Sequence, residues 1–172
     1  MSSNHVVAAP SPRRRIGAVV LVRNAQGDVL MVKPTSKHAD SESGWQLPGG
    51  RAHAGETIAA AAVRELFEET GVRCHIAHAL VIDQVPADED GKRAEGYDIV
   101  VEGSTLTTSE AAAVTLPESA RAELSDLRWV PLEQLDQLAF PRQAGCVKAA
   151  VRAYSYGMRI PLYRLGRPAD AR

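Results

Sequence analysis

The sequence predicts a single α/β domain, and three observations point there. Apolar, β-branched runs such as "IGAVVLV", "VLMVK" and "YDIVVEGSTLT" have strand composition. Two stretches, one from Thr57 and one within "RQAGCVKAAVRAYSYG", are rich in strong helix formers. The chain has 172 residues, the length of one domain and enough to bury roughly 70% of its unfolded surface around one core.

Composition narrows the class of partner. A formal net charge of -1 exerts no whole-molecule pull toward nucleic acid or anionic membrane, so neither is expected. Two cysteines, Cys74 and Cys146, lack the paired spacing of a zinc cluster or a disulfide framework, which fits a reducing cytoplasm. "MSSNHVVAAPSPRRR" has no apolar core ahead of a cleavage site, and no later run approaches the ~20 apolar residues of a membrane span. Residues 1–14 read as a flexible tail, and Arg13 to Arg15, where it meets the domain, form a solvated flank or touch phosphate; residues 161–172 read as a C-terminal tail, frayed over "RLGRPADAR".

Ile16 to Val22 and Val29 to Lys33, separated by "NAQGD", predict a hairpin ended by Pro34. A polar loop follows, then "WQLP" as a short strand leading into Gly49 and Gly50. The first helix has Thr57 as N-cap and Gly71 where a left-handed C-cap belongs. "VRCHIAHALVIDQV" and "YDIVVEGSTLT" read as strands flanking the acidic loop "PADEDGKRAEG". "LSDLRWVPLEQLDQL" reads as a strand and a short helix after Pro131, and the second strongly helical stretch closes the domain.

The end of the first helix is energetically odd. Turning about 100° per residue, Glu65, Glu68 and Glu69 share one side, while Ala59, Ala62, Val63, Leu66 and Phe67 form an apolar arc. Ala61 falls on the acidic side and leaves room for a ligand to approach. Like charges three and four residues apart repel, and anions near a helix C-terminus oppose its dipole, at roughly 0.3 to 1 kcal/mol each. Three carboxylates within five residues, entered from a glycine-rich loop, supply the hard oxygen donors Mg²⁺ prefers.

"GRAHAGETIAAAAVRELFEETGV", Gly50 to Val72, resembles the Nudix hydrolase signature at every defined position: Gly50, Glu56, Arg64, Glu65, Leu66, Glu68, Glu69, Gly71 and Val72. At average residue frequencies such a match arises by chance on the order of 10⁻⁹ times or less per starting point. The resemblance extends more loosely over about Arg15 to Gly157 and implies an α/β/α sandwich around a mixed β-sheet, with a hydrolase domain over residues 15–160. It also implies that Glu65, Glu68 and Glu69 hold Mg²⁺ or Mn²⁺, helped by the carbonyl of Gly49, and that Arg64 orients those carboxylates while Glu56 pairs with Arg64.

The implied reaction is hydrolysis of a diphosphate linkage in a nucleoside triphosphate or a nucleoside diphosphate bonded to a further group X. Its partner is thus a small phosphorylated molecule, a nucleotide first of all; a homodimer is compatible. Glu68 is the first candidate for the base and Glu95 the second. Arg23, Lys33, Lys37, Arg51 and His53 are candidates for phosphate contacts or simple surface groups, Trp45 either stacks a base or packs under the sheet, and Tyr97, Trp129 and Tyr154 are assigned to the core. Pro86 is a strand terminator or a substrate-class mark. Two alternatives stay open: hydrolysis of a non-nucleotide diphosphate such as an isoprenoid one, and a non-catalytic nucleotide-sensing module, which the intact signature disfavours.

Overall fold

A computed structural model describes residues 13–35, 44–90 and 94–172. Lys37, most of the expected N-terminal tail and the tip of the acidic loop lie outside the described residues. Strands β1 (Arg15–Asn24) and β2 (Val29–Pro34) form the expected hairpin, followed by β3 (Gly49–Arg51) and helix α1 (Ile58–Thr70). Then come β4 (His78–Val85), β5 (Gly96–Leu106), helix α2 (Thr108–Ala113), a 3-10 turn at Glu118–Ala122 and β6 (Leu124–Val130). A second 3-10 turn (Leu132–Gln134) leads to α3 (Leu135–Leu138) and α4 (Pro141–Ser155), and short strands β7 (Ile160–Pro161), β8 (Tyr163–Arg164) and β9 (Arg167–Pro168) finish the chain.

The main sheet runs β6-β2-β1-β5-β4-β7, with β3 pairing β1 off that path. β1 and β5 are parallel and the other pairs antiparallel, so the sheet is mixed. Its faces carry separate cores. Ala18, Val20 and Val22 of β1 pack with Ala59, Ala62 and Leu66 of α1, whereas Leu21 packs with Ala144, Val147 and Ala150 of α4. β1 is covered on both sides, which is why it reads as a continuous apolar run rather than an alternating one. The expected α/β/α arrangement is therefore present.

α1 begins and ends where its caps dictate. The Thr57 hydroxyl accepts from the Ala60 N–H at 3.1 Å, and Gly71 takes the left-handed conformation at φ 71°, donating its N–H to the Phe67 carbonyl. Two side chains depart from the predicted faces. Phe67, expected inside, is 40% exposed and lies under the Arg73 guanidinium at 3.7 Å. Ala61, expected on the open acidic side, is fully buried in the same apolar cluster as Ala59, Ala62 and Leu66, so the apolar arc of α1 is wider than the helical wheel suggests.

Other departures have local causes. "WQLP" forms only isolated bridges at Trp45 and Gln46, and the paired strand lies just after it. Of "VRCHIAHALVIDQV", only the second half is a strand; Ile76 instead pairs with Ala171. The expected frayed tail thus needs correction: β8 and β9 form a hairpin, Ala171 exchanges two backbone hydrogen bonds with Ile76, and His75 meets Asp170 at 2.8 Å. The unforeseen α2 owes its start to a capping box between Thr107 and Glu110, and the Trp129 indole N–H holds it by donating to the Ala111 carbonyl. Trp45 is buried against the α4 side, Tyr97 and Trp129 pack on the α1 side, and Tyr154 packs on the α4 side. Both cysteines are free thiols.

Candidate functional site

The last two turns of α1 form one wall of a cavity of about 260 Å³. Glu65, Glu68 and Glu69 project into it, and Ser119 and Glu123 line it from the 3-10 turn ahead of β6. Glu123 is a fourth carboxylate that the sequence reading missed. It lies in a different element, far along the chain, so helical periodicity carries no trace of it. Only the fold brings it near.

Arg64 is the hub of this acidic group. Its Nε and Nη2 donate to the two oxygens of Glu56, each at 3.0 Å, in a fork geometry lysine cannot supply. Nη1 donates to Glu65 at 2.8 Å and, more loosely, to Glu68 at 3.3 Å, while Nη2 also reaches the Arg51 carbonyl at 3.1 Å. The Glu56 carboxyl is held down to about 2, first by its hydrogen bonds to Arg64 and further by the His53 backbone N–H, and the guanidinium is raised in turn, first by its hydrogen bonds to Glu56. Glu56 therefore ties the loop to the helix.

Glu69 is treated differently. Burial pushes its carboxyl up to about 7; Glu65, Glu123 and Glu68 add to that, and the Gly49 N–H, 2.8 Å from Oε2, opposes it. Crowding on this helix is thus relieved partly by Arg64 and partly by the tendency of Glu69 to keep a proton. The two glycines of β3 make the arrangement sterically feasible. Gly49 has φ 141°, and a Cβ there would sit 2.3 Å from the Ala18 carbonyl oxygen; a Cβ on Gly50 would meet the Glu65 carboxylate at 2.5 Å.

The remaining candidates are dispersed. Glu95 does not line the cavity; it pairs with Arg14 at 2.9 Å. Arg23 lies over the Tyr154 ring at 4.9 Å, on the α4 side, away from the glutamates. Lys33, at the far end of β2, is not among the lining residues, and its carbonyl accepts from Ser125. His53 has a side chain 71% exposed, and its backbone N–H donates to Glu56. Pro86 follows the last residue of β4 as a terminator. Arg51 lines a second cleft, together with Arg142 and Gln143 of α4.

Four carboxylates around one small cavity form an all-oxygen donor set, the chemistry that suits a hard divalent cation. Among the described residues no three ligands already stand close enough to grip one ion. Arg64 and the Gly49 N–H hold three of the carboxylates, so binding would require side-chain rotation away from these partners. Gly49 touches the cluster through its N–H.

The chain matches the NUDIX domain family over residues 13–150. It is 28% identical over 148 residues to the phosphatase NudJ of Escherichia coli (strain K12), covering 86% of this chain and 88% of that one. The fold is similar to the MutT protein of Methanosarcina mazei Go1, with a TM-score of 0.63 at 22% identity over 87% of this chain and 99% of the other. It is also similar to the NUDIX domain of Shewanella oneidensis NrtR complexed with ADP ribose, with a TM-score of 0.63 at 20% identity over 84% and 90% of the two chains.

Proposed function

This chain belongs to the Nudix family of hydrolases, and from that premise we propose that it hydrolyses a diphosphate linkage in a nucleoside triphosphate or a nucleoside diphosphate bonded to X, with Mg²⁺ or Mn²⁺ as cofactor. The observation that carries this is the convergence of Glu65, Glu68, Glu69 and Glu123 on one cavity beside the Arg64 hub. The 28% identical relative bears the name phosphatase, which fits phosphorus chemistry.

Glu65, Glu68 and Glu69 would hold the cation, with Glu123 facing them and the Gly49 carbonyl assisting. A bound divalent ion supplies neutralisation of phosphate charge and a lowered pKa for water. Glu68, whose side chain at 57% exposed is the most open of the three carboxylates that pair with Arg64, takes the proton of the attacking water. The water oxygen bonds to phosphorus, the bridging P–O bond breaks, and the bridging oxygen departs with the leaving fragment. Arg64 positions Glu65 and Glu68, and Glu56 fixes Arg64.

We place the enzyme in the cytoplasm on the strength of its two free thiols; separately, among the described residues no helix is long and apolar enough to cross a membrane. Incubation with nucleoside triphosphates, nucleotide sugars and prenyl diphosphates, with Mg²⁺ and ³¹P detection, tests the assignment. Release of nucleoside monophosphate supports it. Turnover of prenyl diphosphates alone would replace the substrate class, and binding without any turnover would favour the sensing alternative.

A further inference from the structure

The second cleft, of about 340 Å³, is lined by Arg142 and Gln143 of α4 and by Gly49, Gly50 and Arg51, the segment whose backbone also contacts Glu69, Glu65 and Arg64 on the glutamate side. Among its lining residues, Asp98 of β5 is held by two guanidiniums. Arg15 donates to Oδ1, and Arg142, at the start of α4, donates to Oδ2 at 3.0 Å while also binding Asp83. The Asp98 side chain is only 14% exposed. A Cβ on Gly17 would come within 2.3 Å of Asp98 Oδ1, so a bare backbone is needed for the carboxylate to lie there.

Burying such an ion-paired hub is a poor way to gain stability, since well-packed apolar groups serve as well or better. Its fixed geometry suits recognition instead. Gln46 and Gln143 line the same cleft and add amides that both donate and accept. No Phe, Tyr or Trp lines it, and the segments outside the described residues, 1–12, 36–43 and 91–93, contain none in their sequence. The ring of Phe140, one residue before α4, packs over Gly44 rather than lining the cleft. A nucleobase is usually held by stacking on an aromatic face, which this surface lacks. The carboxylate, guanidinium and amide groups that line it supply both acceptors and donors, as hydroxyls require.

We propose that this cleft receives the non-phosphate group next to the scissile diphosphate and selects a hydroxyl-rich, non-aromatic one, with Asp98 the specificity-determining acceptor and Arg142 and Gln143 its neighbours. Arg51, at the junction, faces the intervening phosphate. The inference rests on the proposed function only in placing the phosphates on the glutamate side.

The test is a ¹⁵N NMR titration of the full chain with ribose 5-phosphate and, separately, with thymidine 5′-monophosphate, following the side-chain amides of Gln46 and Gln143. Ribose 5-phosphate is expected to shift both, thymidine monophosphate to leave them in place, and Asp98→Asn to weaken the sugar phosphate at least about tenfold. Should Asp98→Asn fail to fold, Gln143→Ala is expected to weaken it severalfold. Equal shifts with the two probes, no shift with the sugar phosphate, or unchanged affinity in a folded variant overturns the proposal. These readouts need no turnover. Loss of the diphosphatase assignment with the shifts intact removes the function and keeps the cleft, whereas turnover indifferent to the hydroxylated group removes the cleft and keeps the function.

Discussion

Glu69 stands between burial, which raises its carboxyl to about 7, and the Gly49 N–H, which lowers it. Its folded-state value exceeds the ordinary 4.5, so the folded chain holds this proton more tightly than the unfolded one. The stability it contributes is complete below about pH 4.5 and is lost as pH rises through about 7. Thermal melts without metal should therefore show a fall over that window which Glu69→Gln diminishes. Added Mg²⁺ or Mn²⁺ should raise the melting temperature more above pH 7 than below it, and an equal rise at both would remove Glu69 from the ligand set. Arg64→Lys keeps the charge and loses the fork to Glu56, so kcat is expected to drop roughly 10- to 100-fold with the fold retained, as steady-state kinetics and circular dichroism can check. Glu65, Glu68 and Glu69 were legible in the sequence because one helix presents them. Glu123 was not, because its proximity is created only when the turn before β6 closes over α1.

At the scale of elements, the caps of α1 position the catalytic candidates, since a helix that frays or shifts register moves every glutamate at once. Thr57→Ala should cost about 1 kcal/mol in denaturant unfolding, while Thr57→Ser should be nearly neutral. Gly50→Ala is expected to cut activity more than stability, because the added methyl would strike the Glu65 carboxylate rather than the core. If the variant keeps wild-type kcat, Glu65 does not need its observed position. The strongly periodic or strongly capped elements, β1, α1 and α4, were readable before the fold was known. The short ones were harder: α2 holds through a capping box and one indole hydrogen bond, and β3 is three residues of small or charged type whose strand character comes only from pairing with β1.

Across the whole molecule, the C-terminal segment returns to the loop ahead of β4 and joins Ile76 and His75. Removing residues 163–172 breaks the two backbone hydrogen bonds between Ile76 and Ala171, worth roughly 2 kcal/mol net, so the melting temperature should fall by about 5 °C. A shift within experimental error would mean that this end is carried passively. Nothing in "RLGRPADAR" forecasts the contact: its composition is that of a tail, and what orders it is a pair of backbone groups on Ile76 that only the folded sheet leaves open.

The parallel pairing of β1 with β5 also bears on how the chain is made. Arg15 must wait for Gly96, about 80 residues later, before its side of the strand is covered. At about 5 to 20 residues per second on the ribosome, the first strand spends several seconds half-partnered, with α1 already synthesised and its glutamates in place. The slowest productive event in biogenesis should accordingly be closure of this long loop, and the newborn enzyme's greatest exposure to aggregation falls in that interval.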